Sequence, residues 1–408
     1  MSIKKLGLLP QIIIAILLGI GAGFVLPQWA IRIFVTFNTI FSEYLGFIIP
    51  LLIVGFVAPA IAEVGDKAGK MLLVTAALAY AFTLMSGLLA YFTGITLFPS
   101  MIKADAYMAA AGDTTDIAPF FTMSIEPMMD VLSALVLAFI LGLGTAQVKS
   151  ASLRNGLAGF RDVITWVIMK SIVPLLPLYI FGIFMDMTIS GKVGPMLLTF
   201  AKIIGVIFVL HVFVLVLQYC IAGAVARRNP FKALWGMMPA YFTALGTASS
   251  AATIPVTLRQ AIAIGVDKDV AGFTIPLCAT IHMSGSTLKI VACALALMIS
   301  QGMHYDFGMF AGFIAMLGVS IIAAPGVPGG AIMASLGVLS SMLGFTQEQN
   351  ALIIALYIAM DSFGTACNVT GDGSIAIIVD RIFARKPSTS VNITDFHSNT
   401  PKKQLGDK

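Results

Sequence analysis

Apolar runs long enough to enter or cross a lipid bilayer recur along this chain, and they limit its fold more than any other feature. They cover residues 8–27, 40–61, 71–97, 132–146, 172–184, 193–226 and 310–323. A helix needs about 20 apolar residues to cross roughly 30 Å of hydrocarbon, so the shorter runs must draw on their flanks. Of the 408 residues, 59% are hydrophobic and only 11% charged, which excludes an ordinary soluble domain. Every backbone polar group in hydrocarbon must be satisfied internally, which leaves helices or a closed barrel. Continuous apolar runs, rather than short alternating ones, select helices. Met1–Lys5 leads straight into the first run with no small-residue cleavage site after it, so that run reads as a span and not as a signal peptide.

The net charge of +5 is not a nucleic-acid footprint. The cations read as short-loop residues: Lys4/Lys5, Lys67/Lys70, Lys149/Arg154/Arg161, Arg227/Arg228/Lys232 and Arg381/Arg385/Lys386. The segment holding Asp105, Asp113, Asp116 and Glu126 is acidic. The positive-inside rule then predicts cytoplasmic termini and an external acidic loop. Cys220, Cys278, Cys293 and Cys367 lie in apolar segments without metal or disulfide spacing and read as free thiols.

Beyond Arg227-Arg228-Asn229-Pro230 the texture changes. Two apolar segments are interrupted by small and polar residues, Ala248–Pro255 and Ala323–Gly330. A polar-bearing span follows each: His282–Thr287 after the first, Asp361–Asp372 after the second. A charge in hydrocarbon costs roughly 2.5–3.5 kcal/mol even on lenient scales, so the second cluster must line a bundle interior or a watery cavity. The order hairpin, span, hairpin, span is the inverted-repeat pattern of secondary transporters, whose interrupted segments mark the solute site. Turns at membrane depth expose N–H groups that take an anion and carbonyls that take a cation. The segments contain no HExxH motif and no nucleotide loop, and Ser250 has no nearby His/Asp partner in sequence, so an enzyme is not expected. A channel reading lacks a repeated ring of carbonyls or charges.

Four motifs carry a resemblance to the dicarboxylate/amino acid:cation symporter family, and to its serine/threonine transporter branch in particular. They are Ser249–Thr257, Ile275–Met283, Gly326–Met333 and Asn368–Asp372, in the family's order. The resemblance implies an all-α integral membrane fold of eight transmembrane helices plus two re-entrant helical hairpins, built from inverted repeats and working as an elevator. It implies a homotrimer in the plasma membrane (the inner membrane of a bacterium), with membrane lipid around it. Scaffold helices one and two would fall in residues 1–70 and four and five in 128–190. Transport-domain helix three would lie in 71–98, and the rest of that domain (helix six, hairpin one, helix seven, hairpin two, helix eight) in 193–386. Residues 387–408 would form a cytoplasmic tail.

The same resemblance assigns site residues. Ser249 and Ser250 would bind the solute's α-carboxylate, Asp361 its ammonium and Asn368 a carboxylate. Thr365, with Val327 and Gly329 of the second hairpin, would complete the pocket. Gly364 stands where acidic-substrate members place an arginine, and the alternative arginine position of the first hairpin reads Ala248. A side-chain carboxylate without a bidentate cation would be stranded, which points to a small neutral amino acid. Cation ligands would come from Asn368, Asp372, His282, Ser284, Thr280, Tyr80 and Thr83. His282 replaces an asparagine and Ser284 an aspartate, so a full set of oxygen-ligand sodium sites is not expected. The expected function is uptake of a small amino acid driven by Na+. The alternatives are proton-coupled transport of an amino acid or other small carboxylate through His282, and an anion-conducting, channel-like protein. Lys289 lies on nearly the same helix face as His282; it pairs with a carboxylate, fills part of a cation site or snorkels to an interface. His211 reads as packing.

Overall fold

The computed structural model describes residues 8–66, 70–102, 117–191, 193–322 and 329–383, and every regular element among them is helical. Helices α1 (Leu8–Val25), α2 (Gln28–Asp66) and α3 (Lys70–Met101) open the chain. After α4 (Val131–Val148) come α5 (Ala151–Val167), a single π turn (Ile168–Ile172) and α6 (Val173–Ile189), then the long α7 (Val193–Ala226). The remainder is α8 (Pro230–Gly236), α9 (Met238–Thr247), α10 (Ser250–Ala263), α11 (Lys268–Ile281), α12 (Ser284–Ser300), α13 (Phe307–Ile322), α14 (Gly330–Leu343), α15 (Gln347–Ala359) and α16 (Asp361–Phe383). By length and composition five stretches among the described residues can cross a membrane: Gln28–Pro59, Lys70–Met101, Ala151–Ile189, Met196–Ala226 and Lys268–Ser300. A sixth is the pair α15 and α16, bent by 63° at its break. Pro10–Val25, Val136–Val148, Phe307–Ile322 and Gly330–Leu343 are shorter apolar helices.

Two corrections concern where helices run. Arg154 and Arg161 sit on α5, not in a loop, and α5 continues through the π turn into the apolar run of α6. Residues 151–167 alternate apolar and polar positions at helical spacing, and Ser150 caps their N-terminus by accepting from the Leu153 N–H. Lys70 opens α3, Lys232 lies on α8 and Arg381 on α16, so these cations too belong to helix ends. In the first interrupted segment the break is confined to Ala248, at φ +49°, and Ser249, in extended conformation. Residues from Ser250 onward are helical despite Pro255. Residues 323–328 of the second segment, with Val327, lie outside the described residues, as do Asp105, Asp113, Asp116, Lys4, Lys5, Lys67, Arg385, Lys386 and the tail 387–408.

Helices α10 and α14, which follow the two interrupted segments, are short. At 1.5 Å per residue, the 14 residues of α10 and the 14 of α14 each reach only about 21 Å. Packing falls into two sets: α2 runs along α4 and α5, and α1 along α6, while α16 is surrounded by α7, α9, α10, α11 and α12, with α3 along α12. One apolar cluster is built only from the second set and includes Phe82, Tyr219, Met237, Ile275, Val369 and Ile377. Asp380 fastens one end of this set. Its Oδ2 accepts from Arg228 Nη2 at 2.9 Å and its Oδ1 from the Asp267 N–H at 2.9 Å, tying the turns before α8 and α11 to the end of α16.

Removing that carboxylate leaves the Asp267 N–H and the Arg228 guanidinium without it. Asp380→Ala is therefore expected to cost about 1–3 kcal/mol, read as a lower melting temperature in detergent, with Asp380→Asn losing less.

Candidate functional site

Two helices, α12 of the second set and α14, begin with no capping side chain of their own. The first is α12, whose preceding residues His282 and Met283 leave helical geometry and break the span Lys268–Ser300 in its middle. The second is α14, which starts after Gly329 at φ +77°, a conformation that favours glycine. Helix starts leave N–H groups without partners, and in a membrane no water supplies them. Helix α16 supplies both. Asn368 Oδ1 accepts from the Gly285 and Ser286 N–H groups at 2.8 and 3.4 Å, and its Nδ2 donates to Ser286 Oγ at 3.1 Å. Asp361 Oδ2 accepts from the Gly329 N–H at 2.7 Å. The negative carboxylate at the start of α14 also suits the helix dipole.

Two bases of the broken span meet two carboxylates of α16. His282 Nδ1 lies 2.9 Å from Asp372 Oδ1, with both side chains buried. Lys289 Nζ donates to Asp361 Oδ1 at 3.1 Å and to the Met360 carbonyl at 3.4 Å, and stands 3.5 Å from the Tyr357 ring centroid. Its side chain is 0% exposed. A buried ammonium persists only with such partners. Lys289 therefore does not snorkel.

Space for both bases comes from glycines on the facing helix. A Cβ on Gly364 would lie 2.6 Å from Lys289 Cε and Nζ, and one on Gly371 2.5 Å from His282 Cε1 and Gln218 Oε1. His282 and Lys289 are seven residues apart, as are Gly364 and Gly371, so two matched faces meet. The volume over Gly364 is filled by Lys289 from another helix.

The other expected residues divide. Ser284 is buried and accepts from Gln218 Nε2 at 3.1 Å, and the same Nε2 is 3.4 Å from His282 Nε2. Thr83 Oγ1 accepts from the Met283 N–H at 3.3 Å, at the break itself. Tyr80 instead donates to the Ala315 carbonyl of α13 at 3.0 Å. Thr280 is exposed and bonds within its own helix to the Leu277 carbonyl. Thr365 is buried and donates to the Asp361 carbonyl at 2.9 Å. Ser249 caps α10 by accepting from the Ala252 N–H, and Ser250 is buried in its first turn. Gln218 and Tyr357 were not expected in the site. Their signal was their position: Gln218 interrupts the apolar run of α7 seven residues after His211, whose Nε2 lies 3.1 Å from the Gly285 carbonyl.

Broken helices whose ends converge with buried polar side chains on one helix define a class, that of secondary transporters. The chain belongs to the sodium:dicarboxylate symporter family, whose profile matches residues 8–382. It is 28% identical over 394 residues to a protein named serine/threonine transporter SstT from Acinetobacter baumannii, covering 92% of this chain and 97% of that protein. It is 29% identical over 322 residues to an excitatory amino acid transporter of Caenorhabditis elegans (74% of this chain, 63% of that one). Against excitatory amino acid transporter 2 of Mus musculus the identity is 28% over 284 residues, covering 67% and 48%. The chain is accordingly a multi-pass membrane protein of a transporter family.

The glycine contacts give a direct test. Gly364→Ala must push Lys289 off a fixed ion pair, and Gly371→Ala must push the His282 ring; each is expected to destabilise by about 1–3 kcal/mol. Gly272→Ala, whose Cβ would meet nothing within 4 Å, is the control and should be neutral or stabilising by about 0.5–1 kcal/mol. Melting temperatures of the three variants in one detergent decide it.

Proposed function

We propose that this protein is a secondary active symporter that couples entry of a cation, Na+ as in the family's description, to uptake of a small carboxylate-bearing solute. The observation that carries the reading is the shared use of α16: Asn368 holds the start of α12 while Asp361 holds the start of the second hairpin's inner arm. Solute entering beside Asp361 meets the contact that closes the hairpin, so loading and gating are one event. The carboxylate would lie at the tip of the first hairpin, on Ser249, Ser250 and the N–H groups of α10. Asn368 and Asp372 are the cation ligands of this reading, with Thr83 and Ser284 beside them. Eight spans and two re-entrant hairpins follow if α1 and α4 cross the membrane and α13 and α14 do not. In this reading α1, α2, α4, α5 and α6 form a scaffold and α3 and α7–α16 a moving domain that slides as an elevator, in a homotrimer of a bacterial inner membrane with its termini in the cytoplasm; the separate packing of α1, α2, α4, α5 and α6 and of α3, α7 and α9–α12 around α16 is what supports the division.

A small neutral amino acid, with its ammonium on Asp361, requires Lys289 to give up that carboxylate. A second coupling reading has its own observation: His282 occupies one oxygen of Asp372, the place a proton would use.

Uptake into proteoliposomes under an imposed Na+ gradient, and separately under an imposed proton gradient, tests the proposal. The proposal expects solute accumulation that collapses when the Na+ gradient is dissipated. Accumulation driven by protons alone would assign coupling to His282 and Asp372. Equilibration without accumulation under either gradient would remove the symporter reading in favour of a channel.

A further inference from the structure

Lys289 is a second cation site that the protein fills for itself. Its ammonium is wholly buried and has three partners: one oxygen of Asp361, the Met360 carbonyl and the face of Tyr357. An ammonium has three donors, so its capacity is met. The other oxygen of Asp361 is taken by the Gly329 N–H. The carboxylate assigned to a solute ammonium is thus neutralised and bonded at both oxygens by groups of the chain. A tethered partner is present at an effective concentration of about millimolar or more, whatever the solute concentration. A solute ammonium would therefore compete with Lys289 for one carboxylate, and both would be cations in the same low-dielectric space. The glycine at 364 shows that the arrangement is built, because any side chain there would occupy the volume of the lysine head.

We infer that Lys289 is a specificity-determining residue that stands in for the solute's ammonium, and that the transported solute is a small carboxylate without an α-amino group: an α-hydroxy, α-keto or unsubstituted acid. The inference rests on the symporter reading above and narrows its substrate class. The first-hairpin hydroxyls and N–H groups still offer the carboxylate site. What Asp361 lacks is an oxygen left free for a positive charge at the α-carbon.

The test uses the full chain in proteoliposomes and radiolabelled pairs that differ at the α-carbon: serine and glycerate, alanine and lactate, aspartate and succinate. Each pair is measured under the Na+ gradient and under the proton gradient, so the coupling ion does not decide the outcome. The expected result is uptake of the amine-free member at least about tenfold faster than its amino partner, the size of one lost charge-assisted contact. Lys289→Met should then free Asp361 and raise amino acid uptake relative to the amine-free acid by about tenfold. Equal or faster uptake of the amino acids by the unsubstituted protein overturns the inference and leaves the symporter reading standing. That comparison holds even if Lys289→Met does not fold. Movement of neither member of any pair overturns the symporter reading, and the inference with it.

Discussion

The carboxylate of Asp361 joins three elements that sequence separates. One oxygen receives Lys289 from α12, the other the Gly329 N–H at the start of α14, and the residue itself begins α16 after a 63° bend. Removing it would strand a buried ammonium and a buried helix start together. Leaving a buried charge unpaired typically costs about 3–5 kcal/mol, far more than the net worth of the pair. This is why the site is better described as a frame whose polar parts complete one another than as an empty pocket.

The same logic extends along α16. Asn368 stands seven residues from Asp361 and caps α12; Asp372 stands four residues further and takes His282. Tyr219 donates to the Thr370 carbonyl at 2.7 Å from the α7 side, and Asp380 fastens the far end. A helix with this many polar side chains would be costly in lipid, and here it is buried on all sides by its own set of helices. Separating α14 from α16 must break the contact between the Gly329 N–H and Asp361.

Much of this was legible in the sequence. The apolar runs at 40–61, 71–97, 172–184 and 193–226 fall in helices long enough to cross a membrane, the first Gly/Pro/Ser interruption holds the break at Ala248–Ser249, and Asp361, Asn368 and Asp372 stood out as charge and amide within an apolar stretch. Three things were not legible, each for a physical reason. The helix over 151–167 has a polar face and so did not read as part of a span, although it continues into one. Lys289 had several roles open to it, since its partner depends on which part of α16 passes beneath it; the matched seven-residue spacings of His282/Lys289 and Gly364/Gly371 were the clue. Tyr80 and Thr280 both offer an oxygen to a cation, but that Tyr80 donates to the Ala315 carbonyl of α13 and that Thr280 is exposed on α11 are placements that side-chain identity alone does not reveal.

The central claim is that Lys289 and Asp361 exist for each other inside the bundle. The most direct measurement is a thermal-unfolding double-mutant cycle with Lys289→Met, Asp361→Asn and the pair together, in one detergent. Each single substitution should lower stability by about 3–5 kcal/mol, and the double variant should melt above either single, because no unpaired charge remains. Losses that simply add, with the double variant the least stable of the three, would contradict the account.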